Sequence, residues 1–137
     1  MRYKFDISAS VIVVESELEG VNVSEIIKMV LDTGATYTML PWKIARVLGL
    51  KPEVSERSID IITASGVESV PLVNLKSIRI FDKKVSNIDV VIHDLPAKSY
   101  VDGLIGLNFL RNFNLYINFK EGYFELGAKD KKFRART

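Results

Sequence analysis

The chain has 137 residues, 47% of them apolar and 26% charged, with a formal charge of +2 at pH 7. That is enough chain for one domain with its own core, and too little net charge to argue for a nucleic-acid partner. There is no cysteine, which excludes disulfides, thiolate nucleophiles and cysteine metal sites and fits a reducing compartment.

The opening MRYKFDISAS has no apolar stretch of signal-peptide type, and no apolar run approaches ~18 residues. The expectation is a cytoplasmic protein with neither a leader nor a membrane span. The one histidine, His93, would have to carry any Ser-His-Asp triad, and no Gly-x-Ser-x-Gly elbow accompanies it. It reads as a polar residue near a strand end beside Asp94, and no metal or cofactor is expected.

In chain order the dominant pattern is β. KFDISASVIVVESELEG, residues 4 to 20, is rich in β-branched residues and reads as extended chain closing at Gly20. EIIKMVL, residues 25 to 31, is a second apolar run that delivers Asp32. PWKIARVLG, residues 41 to 49, reads as a short helix with Pro41 at its first position and Gly49 just past its end. Ile44, Ala45 and Leu48 share one face of it, and Trp42 reads as its buried anchor. SIDII and VESVPLV flank the turn-like TASG, residues 63 to 66. SIRIF and VSNIDVVI flank Asp82, Lys83 and Lys84. GLNFLRNF, residues 106 to 113, suits a second short helix. NLYINF and YFEL flank Lys120, Glu121 and Gly122. Three successive hairpins with short polar turns predict an all-β barrel or sandwich. Residues 1 to 127 read as one domain and 128 to 137 as a basic, frayed tail.

The stretch MVLDTGATYTMLP, residues 29 to 41, asks for an explanation. Asp32 emerges from an apolar strand, Gly34 permits a tight turn and a close approach to the backbone, and Thr33 and Thr36 offer hydroxyls for local carbonyls and carboxylates. About seventy residues later comes a second apolar–glycine element, VDGLIGLNFL, residues 101 to 110. A carboxylate at a strand end is commonly only a turn residue, so the coincidence of features carries the weight here.

Leu31-Asp32-Thr33-Gly34-Ala35-Thr36, followed by Leu40-Pro41 and a short helix ending in Gly49-Leu50, resembles the retropepsin-like aspartic proteases. The likeness continues through Ile62-Thr63-Ala64-Ser65-Gly66, where that family has its flap hairpin, and through Asp102-Gly103-Leu104-Ile105-Gly106 with Asn108-Phe109-Leu110. It spans roughly residues 10 to 127.

The resemblance implies a closed acid-protease barrel with one or two short helices, acting as an endopeptidase on extended polypeptides. It implies that Asp32 is the catalytic carboxylate and that Thr33 bonds across a two-fold axis. Gly34 would keep a backbone amide close to the carboxylate, with Ala35 and Thr36 supporting the loop. Residues 59 to 72, with Ile62 to Gly66 at the tip, would close over a peptide that adds main-chain bonds like an extra strand. Leu104, Ile105 and Gly106 would pack beneath the Asp loop.

Hydrolysis by this route needs two carboxylates about one water, and two carboxylates in contact share a proton, as in aspartic-protease dyads generally. None of Asp6, Asp60, Asp82, Asp89, Asp94, Asp102 or Asp130 lies in a second Asp-Thr-Gly or Asp-Ser-Gly. The second carboxylate therefore has to come from a second chain, which implies a homodimer with the loop on the axis.

Two competing readings remain at this point. One is a non-catalytic dimeric module of the same fold that binds extended peptides. The other is a phosphate-binding Asp-x-Gly-x-Thr loop of actin-like or sugar-kinase ATPases, which needs more chain than this and a second phosphate loop. No Gly-Lys-Ser or Gly-Lys-Thr occurs.

Overall fold

A computed structural model describes residues 1–95 and 101–128. In chain order it has β1 (Tyr3–Lys4), β2 (Val13–Glu19), β3 (Ser24–Leu31), β4 (Thr38–Leu40), α1 (Trp42–Val47), a 3-10 turn (Pro52–Val54), β5 (Ser58–Thr63), β6 (Gly66–Ile80), β7 (Lys83–Ile92), β8 (Leu104–Ile105), α2 (Leu107–Leu110), β9 (Phe113–Asn118) and β10 (Tyr123–Ala128). The expected all-β fold with two short helices is what the chain adopts.

Seven strands form one sheet in the order β2-β3-β8-β4-β7-β6-β5. β2 also pairs with β6, Glu17 to Glu19 against Arg79 to Ser77. That pairing closes six strands into a ring and leaves β5 outside it, bonded to the far half of β6. A second sheet, β1-β10-β9, caps one end.

Alternation explains the ring. Val14, Ser16 and Leu18 on β2 are buried while Glu15 and Glu17 are exposed, and β6 buries Leu75, Ser77, Ile78 and Ile80. The inward residues meet Met29, Leu40, Val90, Ile92, Ile105, Phe109 and Phe124 in one core. A second, smaller cluster forms where β5 leaves the ring. Val70, Leu72 and Val91 pack there with Tyr37, Met39, Ile59 and Ile61.

Four local expectations are corrected. The run from Lys4 to Gly20 is not one strand. Asp6 accepts hydrogen bonds from the Ser8 backbone N–H at 2.9 Å and the Ser8 hydroxyl at 2.6 Å, a side-chain turn that breaks the extension. β1 consequently joins β10, and β2 starts at Val13.

The second hairpin turns at Phe81 and Asp82, with Lys83 and Lys84 already in β7; Phe81 has φ +53°. Such a backbone is rare for an aromatic, and its ring stacks on Tyr3 with centroids 4.5 Å apart.

Pro41 is the N-cap of α1 and not its first helical residue. Trp42 is only half-buried, with the Arg46 guanidinium over its ring.

The end of α1 matches the expectation. Gly49 at φ +75° donates to the Arg46 carbonyl, and Leu50 donates to that of Ala45. This paired closure satisfies the last carbonyls of the helix.

Ser16 lies in the core, fully buried, and among the described residues its hydroxyl has no hydrogen-bond partner. An unpaired buried hydroxyl costs about 1–3 kcal/mol. Ser16→Ala is therefore expected to raise unfolding stability by about 1 kcal/mol, read as the midpoint shift in chemical denaturation. An unchanged or lowered midpoint would show that the hydroxyl is satisfied.

Candidate active site

β3 carries three buried apolar residues, Met29, Val30 and Leu31, to the edge of the core. The next residue, Asp32, is partly exposed. Its backbone N–H donates to the Ile105 carbonyl at 2.9 Å. Its carboxylate Oδ1 accepts the Gly34 N–H at 2.9 Å. A Cβ on Gly34 would stand 3.2 Å from that same oxygen. Gly34 has no positive φ, so what the glycine provides is room beside the carboxylate, which a side chain would crowd, and not an unusual backbone.

β8 lies between β3 and β4. Val30 and Leu31 pair in parallel with Leu104 and Ile105, and Met39 pairs with Leu104 from the other side. Ile105 and Gly106 are buried, and Leu104 is half-buried. A Cβ on Gly106 would sit 2.6 Å from the Tyr37 carbonyl oxygen, so only glycine lets these backbones meet. The structure thus places Leu104, Ile105 and Gly106 directly beneath the Asp32 loop.

The hydroxyls that hold this loop are not those the sequence pointed to. Thr33 and Thr36 are exposed, and neither hydroxyl bonds to another described group. Thr38 does that work. Fully buried, it donates its hydroxyl to Asn108 Oδ1 at 2.9 Å and accepts the Gly106 N–H at 3.1 Å. The same Asn108 oxygen accepts the Thr38 N–H, and its amide donates to the Asp89 carbonyl at 2.6 Å. Two further backbone bonds, Leu107 N–H to Ala35 O and Asn108 N–H to Thr36 O, tie the start of α2 to the loop. The one signal for this network was Asn108 two residues after Gly106, within the segment already singled out.

Two recesses meet at the Asp-Thr-Gly turn. One, about 580 Å³, lies between Gly34 to Tyr37 on one side and Ile59, Asp60, Ile61 and Ile62 on the other. Four consecutive residues of one strand line it, which requires β5 to present its unpaired edge as well as a face. Of the expected flap residues, Ile62 lines this cleft. Thr63, Ala64, Ser65 and Gly66 form the turn beyond it, where Thr63 Oγ1 donates to the Gly66 carbonyl. Ile62 is 89% exposed, and Val67 opposite it is 71% exposed.

The second recess, about 460 Å³, touches Asp32 and Thr33 and is walled by Phe5, Ile7, Ile117 and Phe119 among others. Ile7 and Phe119 are more than 60% exposed.

His93 sits just past β7, its N–H on the Leu40 carbonyl. Among the described residues no group of three or more His, Asp or Glu side chains is placed to hold a metal ion, and no helix is long and apolar enough to cross a membrane. Residues 129–137 of the expected tail lie outside the described residues.

Residues 14–112 match the family model described as "gag-polyprotein putative aspartyl protease". The chain belongs to this aspartyl protease family. Among solved structures it is similar to a retropepsin-like aspartic protease from Rickettsia conorii, at 22% identity and a TM-score of 0.71, over 93% of this chain and 90% of that one. That likeness shows the shared fold. No curated protein matches the chain by sequence.

At the base of the β5–β6 hairpin Arg57 makes a bidentate pair with Asp89, at 2.8 and 3.1 Å. Hydrogen bonding from Arg57 holds the Asp89 carboxyl below its ordinary value of 3.8, and that from Asn74 adds to it. A carboxylate stabilised in the fold contributes stability above its ordinary value and loses it as pH falls through the lowered native one. Relative to Asp89→Asn, the wild type is expected to be more stable at pH 6. The difference should shrink as pH drops below 3.8 and vanish once the native carboxylate is protonated. Thermal melts of both proteins across pH 2 to 6 would read it. A pH-independent difference would place the effect elsewhere.

Proposed function

We propose that the protein is a homodimeric aspartic endopeptidase in which one water is activated between the Asp32 carboxylates of two subunits. The observation that carries this reading is a single Asp-Thr-Gly loop per chain with its carboxylate aimed at the surface. It stands between an open-edged cleft on one side and an apolar, incompletely covered recess on the other.

The chemistry follows from the pair. One ionised carboxylate takes a proton from the water as its oxygen attacks the scissile carbonyl carbon. The other, protonated, donates to the carbonyl oxygen, giving a tetrahedral diol. One proton then passes from the dyad to the amide nitrogen, the C–N bond breaks, and a diol hydroxyl gives its proton to the other carboxylate as the new carboxyl group forms, so the dyad again holds one proton. Gly34 N–H stabilises the ionised oxygen that it already contacts. Water between two carboxylates needs them rigid, and the Thr38–Asn108–Gly106 bonds beneath the loop supply that rigidity.

The substrate is an extended polypeptide. The free edge of β5 offers unpaired N–H and C=O groups along the cleft, and a peptide lying there gains main-chain bonds as an added strand. The assembly face includes the Asp32 loop, the recess walled by Ile7 and Phe119, and the β9–β10 hairpin. An obligate interface of this kind buries ~2,000 Å² or more. Thr33, whose hydroxyl has no partner among the described residues, bonds across the axis to the other loop.

Three results are expected. Asp32→Asn abolishes cleavage of unfolded polypeptide while leaving assembly intact or stronger, because the like-charge contact is gone. The wild-type rate profile is bell-shaped with an acidic optimum, since only the singly protonated dyad works and its limbs belong to the pair. Activity retained in Asp32→Asn, or a chelator-sensitive activity peaking at alkaline pH, rejects the mechanism. Thr33→Val weakens the dimer by about 1–3 kcal/mol through a lost buried bond, measured by sedimentation. A dimer constant that does not move removes the cross-axis role, and a wild-type monomer at tens of micromolar with dilution-independent activity removes the dimer itself.

A further inference from the structure

We infer that Asp60 sets a substrate preference, favouring cleavage of peptides that carry lysine or arginine at the position paired with it. This rests on the proposed peptidase reading and adds to it the charge of the substrate.

The cleft between the Asp32 loop and β5 is lined by Gly34, Ala35, Thr36, Tyr37, Met39, Ile59, Ile61, Ile62 and Val91, all uncharged at neutral pH, and by Asp60. Asp60 is therefore the one carboxylate among the described residues of these walls. It is exposed, and among the described residues it has no ion-pair or side-chain hydrogen-bond partner. Arg57, three residues earlier in the chain, is engaged with both of its terminal nitrogens on Asp89. Across the hairpin Asp60 faces Ser69, which is neutral.

Position on the strand decides what Asp60 meets. Among the described strands β5 pairs only with β6, so its other edge is open to the cleft. A peptide that docks there as an added strand brings one of its own residues opposite Asp60, with Cβ atoms about 4.5–5.5 Å apart. Opposite charges at that spacing attract, and like charges repel. Each effect reaches about 1 kcal/mol at an exposed site, which corresponds to about fivefold in kcat/KM. Ile62, two residues on and on the same face of β5, offers apolar surface to a long aliphatic stem, and both lysine and arginine have one.

The test uses the full-length protein and a set of otherwise identical peptides with Lys, Gln or Glu scanned through each position around one cleaved bond. The ratio of kcat/KM for Lys over Gln is read within each enzyme, so that a poorly folded variant lowers both and leaves the ratio intact. At one position the wild type should prefer Lys about fivefold and disfavour Glu, and the preference should weaken at high salt. Asp60→Asn should bring the ratio close to one, and Asp60→Lys should turn it toward Glu. Cleavage by the wild type with no charge preference at any position, or a Lys preference that survives in both variants, overturns the role of Asp60 and leaves the peptidase reading standing. No cleavage of any peptide overturns both.

Discussion

The site depends on a backbone crossing. β8 contributes only Leu104 and Ile105, yet it fills the gap between β3 and β4 and bonds to both. Without it, the Asp32 N–H loses its acceptor and the ring opens beside the carboxylate. The crossing is possible because Gly103 and Gly106 bracket the two residues. A Cβ on Gly103 would lie 2.6 Å from the Met39 carbonyl oxygen, and one on Gly106 2.6 Å from that of Tyr37. Backbone that cannot yield turns such substitutions into local displacement, here directly beneath the carboxylate.

Rigidity at the loop is built in two layers. Main-chain bonds set the path of residues 32 to 36, and the Thr38–Asn108 pair locks β4, the start of α2 and β7 to one another. Every polar atom named in that lock has a partner, as a buried network must if it is to stiffen the site. The β5–β6 hairpin, the flap of the proposed function, has the opposite character. Its tip exposes Ile62 and Val67 and its turn is held by short-range bonds such as Thr63 to Gly66. A fixed loop facing a lightly held hairpin is the mechanical arrangement that closure over a bound chain requires.

Much of this was legible in the residues. Alternation located the three hairpins, Gly49 marked the end of α1, and Asp-Thr-Gly with a glycine element seventy residues on led to the family. What escaped has physical reasons. Thr38 and Asn108 meet only because β8 threads between β3 and β4, and a contact across seventy residues leaves no local period. Thr33 and Thr36, nearer to Asp32 in sequence, point away from the loop's own bonds. The Asp6–Ser8 turn interrupts a run whose composition is fully that of a strand. Phe81 adopts a backbone that propensity assigns to glycine or asparagine, held there by stacking on Tyr3, a tertiary effect. That residues 59 to 72 form a hairpin follows from their pattern, but that the open edge of Ile59 to Ile62 walls the cleft at Gly34 is decided by the ring and not by the strand.

Closing a sheet removes edges, and unpaired edges are where strands recruit other chains. The β2–β6 pairing closes the ring, so of the described long strands β5 and β9 keep an open side. Both flank the same turn: Ile59 to Ile62 of β5 wall the recess at Gly34, and Ile117 of β9 walls the recess at Asp32. Edges left open by chance would be scattered around the barrel. Under the proposed function each has an occupant, a substrate strand on β5 and a second subunit against β9. The two occupants then meet at the carboxylate that neither subunit could use alone. The charge on β5, Asp60, serves such an edge doubly: it opposes indiscriminate pairing with another apolar strand, and it admits the chain whose charge answers it.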